Sequence, residues 1–213
     1  MVKVVVVDYG VGNLLSVTRA LARVGADVVI ANEARQITDA GHLVLPGVGA
    51  FGAAMAELKR RDLIDALVAH GKSGRPFLGI CLGAQMMMDS SDEFGNHAGL
   101  GLISGHVTVV PSTTATGGSH RIPHIGWADL VEPTPGRWAG TIFEDTPPST
   151  SAYFVHSFQA CPDNAEDLLA CVDYDGIAVT AAIGRGALVG CQFHPEKSGE
   201  KGLALLHRFM TQA

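Results

Sequence analysis

The stretch RPFLGICLGAQMMM, residues 75–88, holds a cysteine whose surroundings suit nucleophilic chemistry. Cys81 follows an apolar run and precedes helix-forming residues, so the chain must turn sharply there. Gly79 and Gly83, two residues to either side, let neighbouring backbone approach closely. A strand–nucleophile–helix turn exposes the side chain, puts it at the positive end of the helix and favours thiolate, the reactive form. The next N–H, that of Leu82, can then face a developing oxyanion. The alternative is an inert packed thiol, a common fate for cysteine.

A cysteine nucleophile needs a base. Of nine histidines, His194 in VGCQFHPEKSG is the best placed, again after an apolar strand and before a helix. Glu196 lies two residues on. In extended backbone, residues i and i+2 face one side, so Glu196 can orient the imidazole. On its own this pair reads equally as a strand-end histidine beside a helix-capping carboxylate.

The glycines of LPGVGAFG admit two uses. Gly47-Val48-Gly49-Ala50-Phe51-Gly52 matches the dinucleotide pattern G-x-G-x-x-G. That pattern expects an acidic residue about twenty positions on, at the end of the next strand. Asp62 and Asp65 fall in a helical stretch instead. The other use is an oxyanion loop that turns the Val48 N–H toward a substrate carbonyl, and flanking Gly47 and Gly49 make rotation of that peptide cheap.

The elements that must position these groups follow from periodicity. VKVVVVD is a continuous β-branched run, read as a strand buried on both faces. GNLLSVTRALARVG has helical spacing and a closing glycine; ADVVIA and HLVLPG are further strands; FGAAMAELKRRDLIDALVAHG is helical. RPFLGIC is a fourth strand leading into a helix over LGAQMMMD. Such alternation predicts a parallel sheet covered by helices on both sides, and open parallel sheets bind ligands at the carboxyl ends of their strands, where Cys81 stands. After Gly95, GLISGHVTVVP, IGWADLVEP, SAYFVHSFQA, LLACVDYDG, IAVTAAIGRG and ALVGCQFHP read as strands, some of them antiparallel additions to the same sheet. PSTTATGGSHR reads as a flexible loop, and SGEKGLALLHRFMTQ as a final helix. The expected fold is one α/β domain over 1–213, three-layered around a mostly parallel sheet.

Composition narrows the partners. A net charge of −6 with no basic run argues against nucleic acid or an anionic membrane surface. The four cysteines form no CxxC pair, and His120 and His124 lack zinc-ligand spacing, so neither a disulfide framework, a metal nor a cofactor is expected. No run reaches transmembrane length and no signal-peptide core precedes Asp8, which makes the cytoplasm the default compartment.

Taken in order, LPGVG, GICLGAQ and FHPE resemble the triad-type class I glutamine amidotransferases, over nearly the whole chain. The resemblance implies a flavodoxin-like fold, Cys81 as nucleophile toward glutamine, His194 as base, Glu196 as its orienting acid, and the amides of Val48 and Leu82 as oxyanion hole, beside Gly47 and Gly49. Within the family, DYGVGNLLSV, PHIGW, YFVHSF and HPEKSG are similar to the glutaminase subunits of imidazole glycerol phosphate synthase. That likeness implies glutamine contacts at Gln85, Glu93, His156, Ser157 and Phe158. It also implies a face made by Asn13, Trp127 and Lys197 toward a separate (β/α)8-barrel cyclase subunit, as a heterodimer. Two positions depart from the pattern: Ala128 follows the tryptophan where asparagine is frequent, and Phe158 stands where tyrosine is frequent. The alternatives are a glutaminase serving another synthase, such as that of pyridoxal phosphate, a nucleotide-binding oxidoreductase that uses the glycine loop, and a scaffold that keeps only the docking face.

Overall fold

The computed structural model describes residues 1–211. The first half alternates, with one short helix, α2, that the sequence reading did not place: β1 (Lys3–Val7), α1 (Leu14–Arg23), β2 (Asp27–Ala31), α2 (Ala34–Thr38), β3 (His42–Gly47), α3 (Phe51–Arg60), α4 (Ile64–Lys72), β4 (Phe77–Cys81) and α5 (Leu82–Gln85). The second half is mostly strand: β5 (Met88–Ser91), β6 (His97–Ala98), β7 (Ile103–Val109), β8 (His124–Asp129), β9 (Ser151–His156), β10 (Phe158–Pro162), β11 (Leu168–Tyr174), β12 (Ile177–Arg185) and β13 (Leu188–Cys191), closed by α6 (Gly199–Thr211).

The main sheet runs β11-β12-β13-β4-β3-β1-β2. From β2 to β13 all neighbours are parallel, and β12 and β11 add on antiparallel. Side-chain parity divides its core in two. Val4, Val6, Val44, Leu78 and Ile80 pack with Val17 and Leu21 of α1 and Leu206 and Phe209 of α6. Val5, Val7, Leu43, Leu45 and Phe77 pack on the other side with Ile37, Phe51, Leu58 and Leu67 of α2, α3 and α4. The result is the expected three-layer α/β fold. Burial on both faces explains why β1 is an unbroken valine run.

Several elements differ from the sequence expectation, each for a visible reason. The helix expected over 82–89 is one turn, because the carbonyls of Met86, Met87 and Met88 turn away to accept from Leu100, Leu102, Ile103 and Gly101. Met88 then begins β5. The helix expected over 51–71 breaks where Asp62 takes φ 56° and the Leu63 N–H reaches back to the Leu58 carbonyl. That left-handed cap joins two fully buried leucines across the break. SAYFVHSFQA is two strands rather than one. β9 pairs with β8, whereas β10 joins a four-stranded sheet ordered β10-β7-β5-β6. The switch falls at Ser157, whose carbonyl accepts from Val110. So of the late strands β13 joins the main sheet in parallel, β12 and β11 extend it antiparallel, and the others build two smaller sheets.

The segment 111–121 is a small hairpin with a Thr113–Ser119 bridge. His120 ties it down through the carbonyls of Pro111 and Tyr174, each 2.7 Å from a ring nitrogen. Among the described residues no helix is long and apolar enough to cross a membrane.

Candidate active site

β4 delivers Cys81 to the carboxyl edge of the sheet, between β3 and β13. Its backbone sits at φ 55°, ψ −111°, a region that costs a non-glycine residue on the order of 1–3 kcal/mol. Close packing holds it there. A Cβ on Gly83 would lie 1.8 Å from the Leu45 carbonyl oxygen, one on Gly79 2.7 Å from the Ala84 nitrogen, and one on Gly47 2.8 Å from the Tyr9 hydroxyl. The glycines flanking Cys81 therefore do what the sequence suggested: they let α5 press against β3 and β4. Because α5 has one turn, its dipole is weaker than the sequence reading assumed.

The side chains around the sulfur matter more. His194 follows β13 in extended backbone and lines the same cleft as Cys81. Its Nδ1 lies 2.8 Å from Oε1 of Glu196, whose side chain is fully buried. With Nδ1 committed to the carboxylate, Nε2 is the nitrogen that serves the thiol. Burial pulls the imidazole pKa down, but neighbouring Cys81 and Glu196 outweigh it and hold the group up at about 9. The Tyr9 hydroxyl, bonded to the Pro46 carbonyl at 3.0 Å, is pushed far up by burial and by the neighbouring Cys81.

A cleft of about 390 Å³ opens over the sulfur. It brings together Val48, Gly49, Cys81, Leu82, Gln85, Glu93, His156, Ser157, Phe158 and His194, ten positions singled out in the sequence. Gly47 lies behind them, packed on Tyr9 and Leu82. A larger cavity of about 720 Å³ lies among α3, α4 and β6, but no thiol lines it. Glu93 accepts from the Phe51 N–H at 2.6 Å, so a carboxylate already occupies the start of α3. That is where a dinucleotide pyrophosphate would have to sit, and the negative charge there opposes it. His156 bonds the Phe158 carbonyl at 2.8 Å and His124 at 3.1 Å, and burial first, then His124 and His194, holds it down at about 4. The same Phe158 carbonyl accepts from Gln85 at 2.9 Å. Since the carbonyl makes these bonds, phenylalanine in place of tyrosine leaves them intact. Among the described residues no group of three or more His, Cys, Asp or Glu is placed to hold a metal ion.

Beyond the cleft, the pairing of β8 with β9 sets Trp127 opposite Tyr153 and Ile125 opposite Val155. Trp127 is 58% exposed, its ring 5.9 Å from that of Tyr153, and the Lys197 ammonium stands 6.0 Å over the tyrosine. An exposed aromatic–aliphatic patch with a cation thus reaches the rim at Val155. Ala128 belongs to the other face of β8 and packs on the core. Asn13 caps α1, its Oδ1 accepting from Ser16 at 3.4 Å.

Sequence reasoning passed over two residues here. Gln192, buried, donates to the Cys81 sulfur at 3.7 Å, and the same i, i+2 argument used for His194 and Glu196 places it beside His194. Phe94, 86% exposed with φ 54°, stands at the cleft mouth with its ring 6.3 Å from Phe158. No pattern in the sequence marks it.

Comparison with known proteins bears directly on this geometry. The family described as glutamine amidotransferase class-I matches residues 5–213. The chain belongs to that family. Among its relatives, imidazole glycerol phosphate synthase subunit HisH 1 of Legionella pneumophila (strain Lens) is 50% identical over 211 residues, covering 99% of each chain. Imidazole glycerol phosphate synthase subunit HisH of Aquifex aeolicus (strain VF5) is 42% identical over 215 residues, covering 99% of this chain and 97% of the relative. Among solved structures, PurLQS from Thermotoga maritima superposes with a TM-score of 0.73 at 18% identity, over 98% of this chain and 97% of that one, which is a likeness of fold. As a class I amidotransferase, the chain carries its thiol, imidazole and carboxylate at the strand ends where this α/β architecture gathers ligands.

Proposed function

We propose that the chain is the glutaminase subunit of an imidazole glycerol phosphate synthase, with Cys81, His194 and Glu196 as its catalytic line. The observation that carries the reading is the His194 imidazole, held at 2.8 Å by buried Glu196 and lining one cleft with Cys81. Relatives of that description match over the full chain.

In this reading the Cys81 thiolate attacks the side-chain amide carbon of glutamine. The new C–S bond forms as an electron pair moves to oxygen, which the N–H groups of Val48 and Leu82 hold; Leu82 is the first residue of α5, so its N–H lacks a helical acceptor. The tetrahedral species collapses by breaking C–N, and His194 gives the departing nitrogen its proton. Neutral His194 then takes a proton from water, which attacks the thioester and releases glutamate. Glu196 keeps the imidazole oriented throughout. Gln85, Glu93, His156, Ser157 and Phe158 form the glutamine pocket, and His156, held neutral, adds no charge that would compete for the substrate's carboxylate.

Ammonia loses its nucleophilicity to protonation in bulk water, so direct delivery matters. The Trp127, Tyr153 and Lys197 patch, with Asn13, is the face for a cyclase (β/α)8-barrel subunit. There ammonia reacts with the ribulose-phosphate aminoimidazole carboxamide substrate (PRFAR), giving imidazole glycerol phosphate and aminoimidazole carboxamide ribotide for histidine biosynthesis. Four free cysteines suit the reducing cytoplasm, where we place the complex. Of the two glycines around Val48, Gly47 is needed for packing on Tyr9. The peptide that carries the Val48 N–H joins Gly47 to Val48, so its rotation turns on the backbone of Gly47 and Val48.

Glutamate release from glutamine, measured for the chain alone and then with the cyclase subunit and PRFAR, tests the assignment. Release that rises in the loaded pair and is lost in Cys81→Ala is expected. Equal, low release in all three mixtures would overturn it.

A further inference from the structure

Gln192 lies outside the catalytic line, yet its amide is wired into it. The Phe158 backbone carbonyl can only accept, so the Gln85 amide must turn its nitrogen toward it, at 2.9 Å. The same Gln85 nitrogen lies 2.9 Å from Oε1 of Gln192. With its oxygen committed there, Gln192 presents Nε2 to the Cys81 sulfur, at 3.7 Å. Each amide orientation is thus dictated by the one before it, starting from a group whose polarity is fixed. All three side chains are buried, so water does not blur the sequence of donors and acceptors.

We infer that Gln192 is a positioning residue for the glutaminase reaction, holding an N–H donor on the Cys81 sulfur in an orientation imposed by Phe158 through Gln85. The inference rests on the glutaminase reading for its purpose, and on hydrogen-bond polarity for its content. A donor to sulfur favours the charged form, because it bonds thiolate more strongly than thiol. It also gives the sulfur a fixed polar partner of its own. A glutamine reversed by 180° would aim its oxygen at the sulfur and oppose ionisation, so what Gln85 contributes is the direction of the amide.

The test reads the thiol directly. The rate of iodoacetamide alkylation at Cys81, followed by mass spectrometry of that peptide so that Cys161 and Cys171 do not interfere, is measured against pH. Gln192→Leu removes the donor. Gln192→Glu keeps the shape but cannot donate when ionised, and guards against misfolding of the leucine variant. Gln192→Leu is expected to move the midpoint upward by about one pH unit, the tenfold loss that a single charge-assisted hydrogen bond represents, and Gln192→Glu by more, because its carboxylate also repels the thiolate. The kcat for glutamine should fall about tenfold, with KM changed less than threefold. Gln85→Met, which frees Gln192 to turn over, should shift the midpoint the same way. The Gln85→Met, Gln192→Leu pair should shift it no further than Gln192→Leu alone. Midpoints for folded Gln192→Leu and Gln192→Glu that match the parent would overturn the inference, whatever the glutaminase result. Absence of glutamate release by the parent with its loaded partner would instead remove the catalytic purpose and leave the midpoint shift standing.

Discussion

Gly83 sits so close to Leu45 that a Cβ on it would lie 1.8 Å from the Leu45 carbonyl oxygen. The contact is with backbone of the interior strand β3, which cannot swing aside as a side chain would. It presses α5 onto the sheet and helps hold Cys81 at its positive φ. Gly83→Ala is therefore expected to lower stability by about 1–3 kcal/mol, the cost of overpacking a tight core. Glutaminase activity should fall further than stability does, because the sulfur is displaced. Denaturant unfolding alongside single-turnover glutamate release measures both.

Glu196→Gln keeps the shape of the side chain but removes the charge that supports the imidazolium. The His194 pKa, now held at about 9, should drop, which histidine NMR can follow. The kcat should fall by roughly 10²–10⁴, the range for a mispositioned acid–base group. A variant with unchanged kcat would mean that Glu196 serves the fold alone.

Two histidines should shape stability against pH in opposite directions. His194 binds its proton more tightly in the fold than in the unfolded chain, where it titrates near 6.5. Its contribution is fully present below pH 6.5 and is lost as pH rises through about 9. His156 is the reverse: burial holds it down at about 4, so between pH 6.5 and 4 the unfolded chain takes up a proton that the fold refuses. Stability should therefore fall on the acid side as well. Thermal midpoints across pH 4–9 are expected to flatten on the alkaline arm in His194→Gln and on the acid arm in His156→Gln.

The Trp127 side chain contributes to a surface rather than to the core. Trp127→Ala should leave the unfolding free energy within about 0.5 kcal/mol, as exposed substitutions do. Affinity for the cyclase subunit should weaken roughly thirtyfold or more, the 2 kcal/mol scale of an aromatic hot spot. Calorimetric titration of the two subunits reads this. An unchanged affinity would move the docking face elsewhere.

What was legible in the sequence was what short-range periodicity controls. The valine run of β1 and the strand that ends at Cys81 follow from short local patterns, whereas Glu196, expected beside His194 on extended backbone, reaches it from a 3-10 turn over Pro195–Lys197. The ends of α3 and α5 were not legible. Met86 to Met88 have good helical composition, but their carbonyls are claimed by residues 100–103, a partnership that no local pattern encodes. Likewise Ser157 divides two strands because each half finds a different sheet. Gln192 was within reach of the i, i+2 rule, yet its role depends on Gln85 and Phe158, which only the fold brings beside it.

The central claim, that Cys81 takes the acyl group of glutamine, is tested most directly by intact-mass and peptide analysis after exposure to 6-diazo-5-oxo-norleucine, a glutamine analogue electrophilic near the side-chain carbonyl. With the cyclase subunit and its substrate present, the account predicts a single adduct on Cys81, slowed by added glutamine and absent in Cys81→Ala. Modification at another cysteine, or an unlabelled Cys81 in the loaded complex, would contradict it.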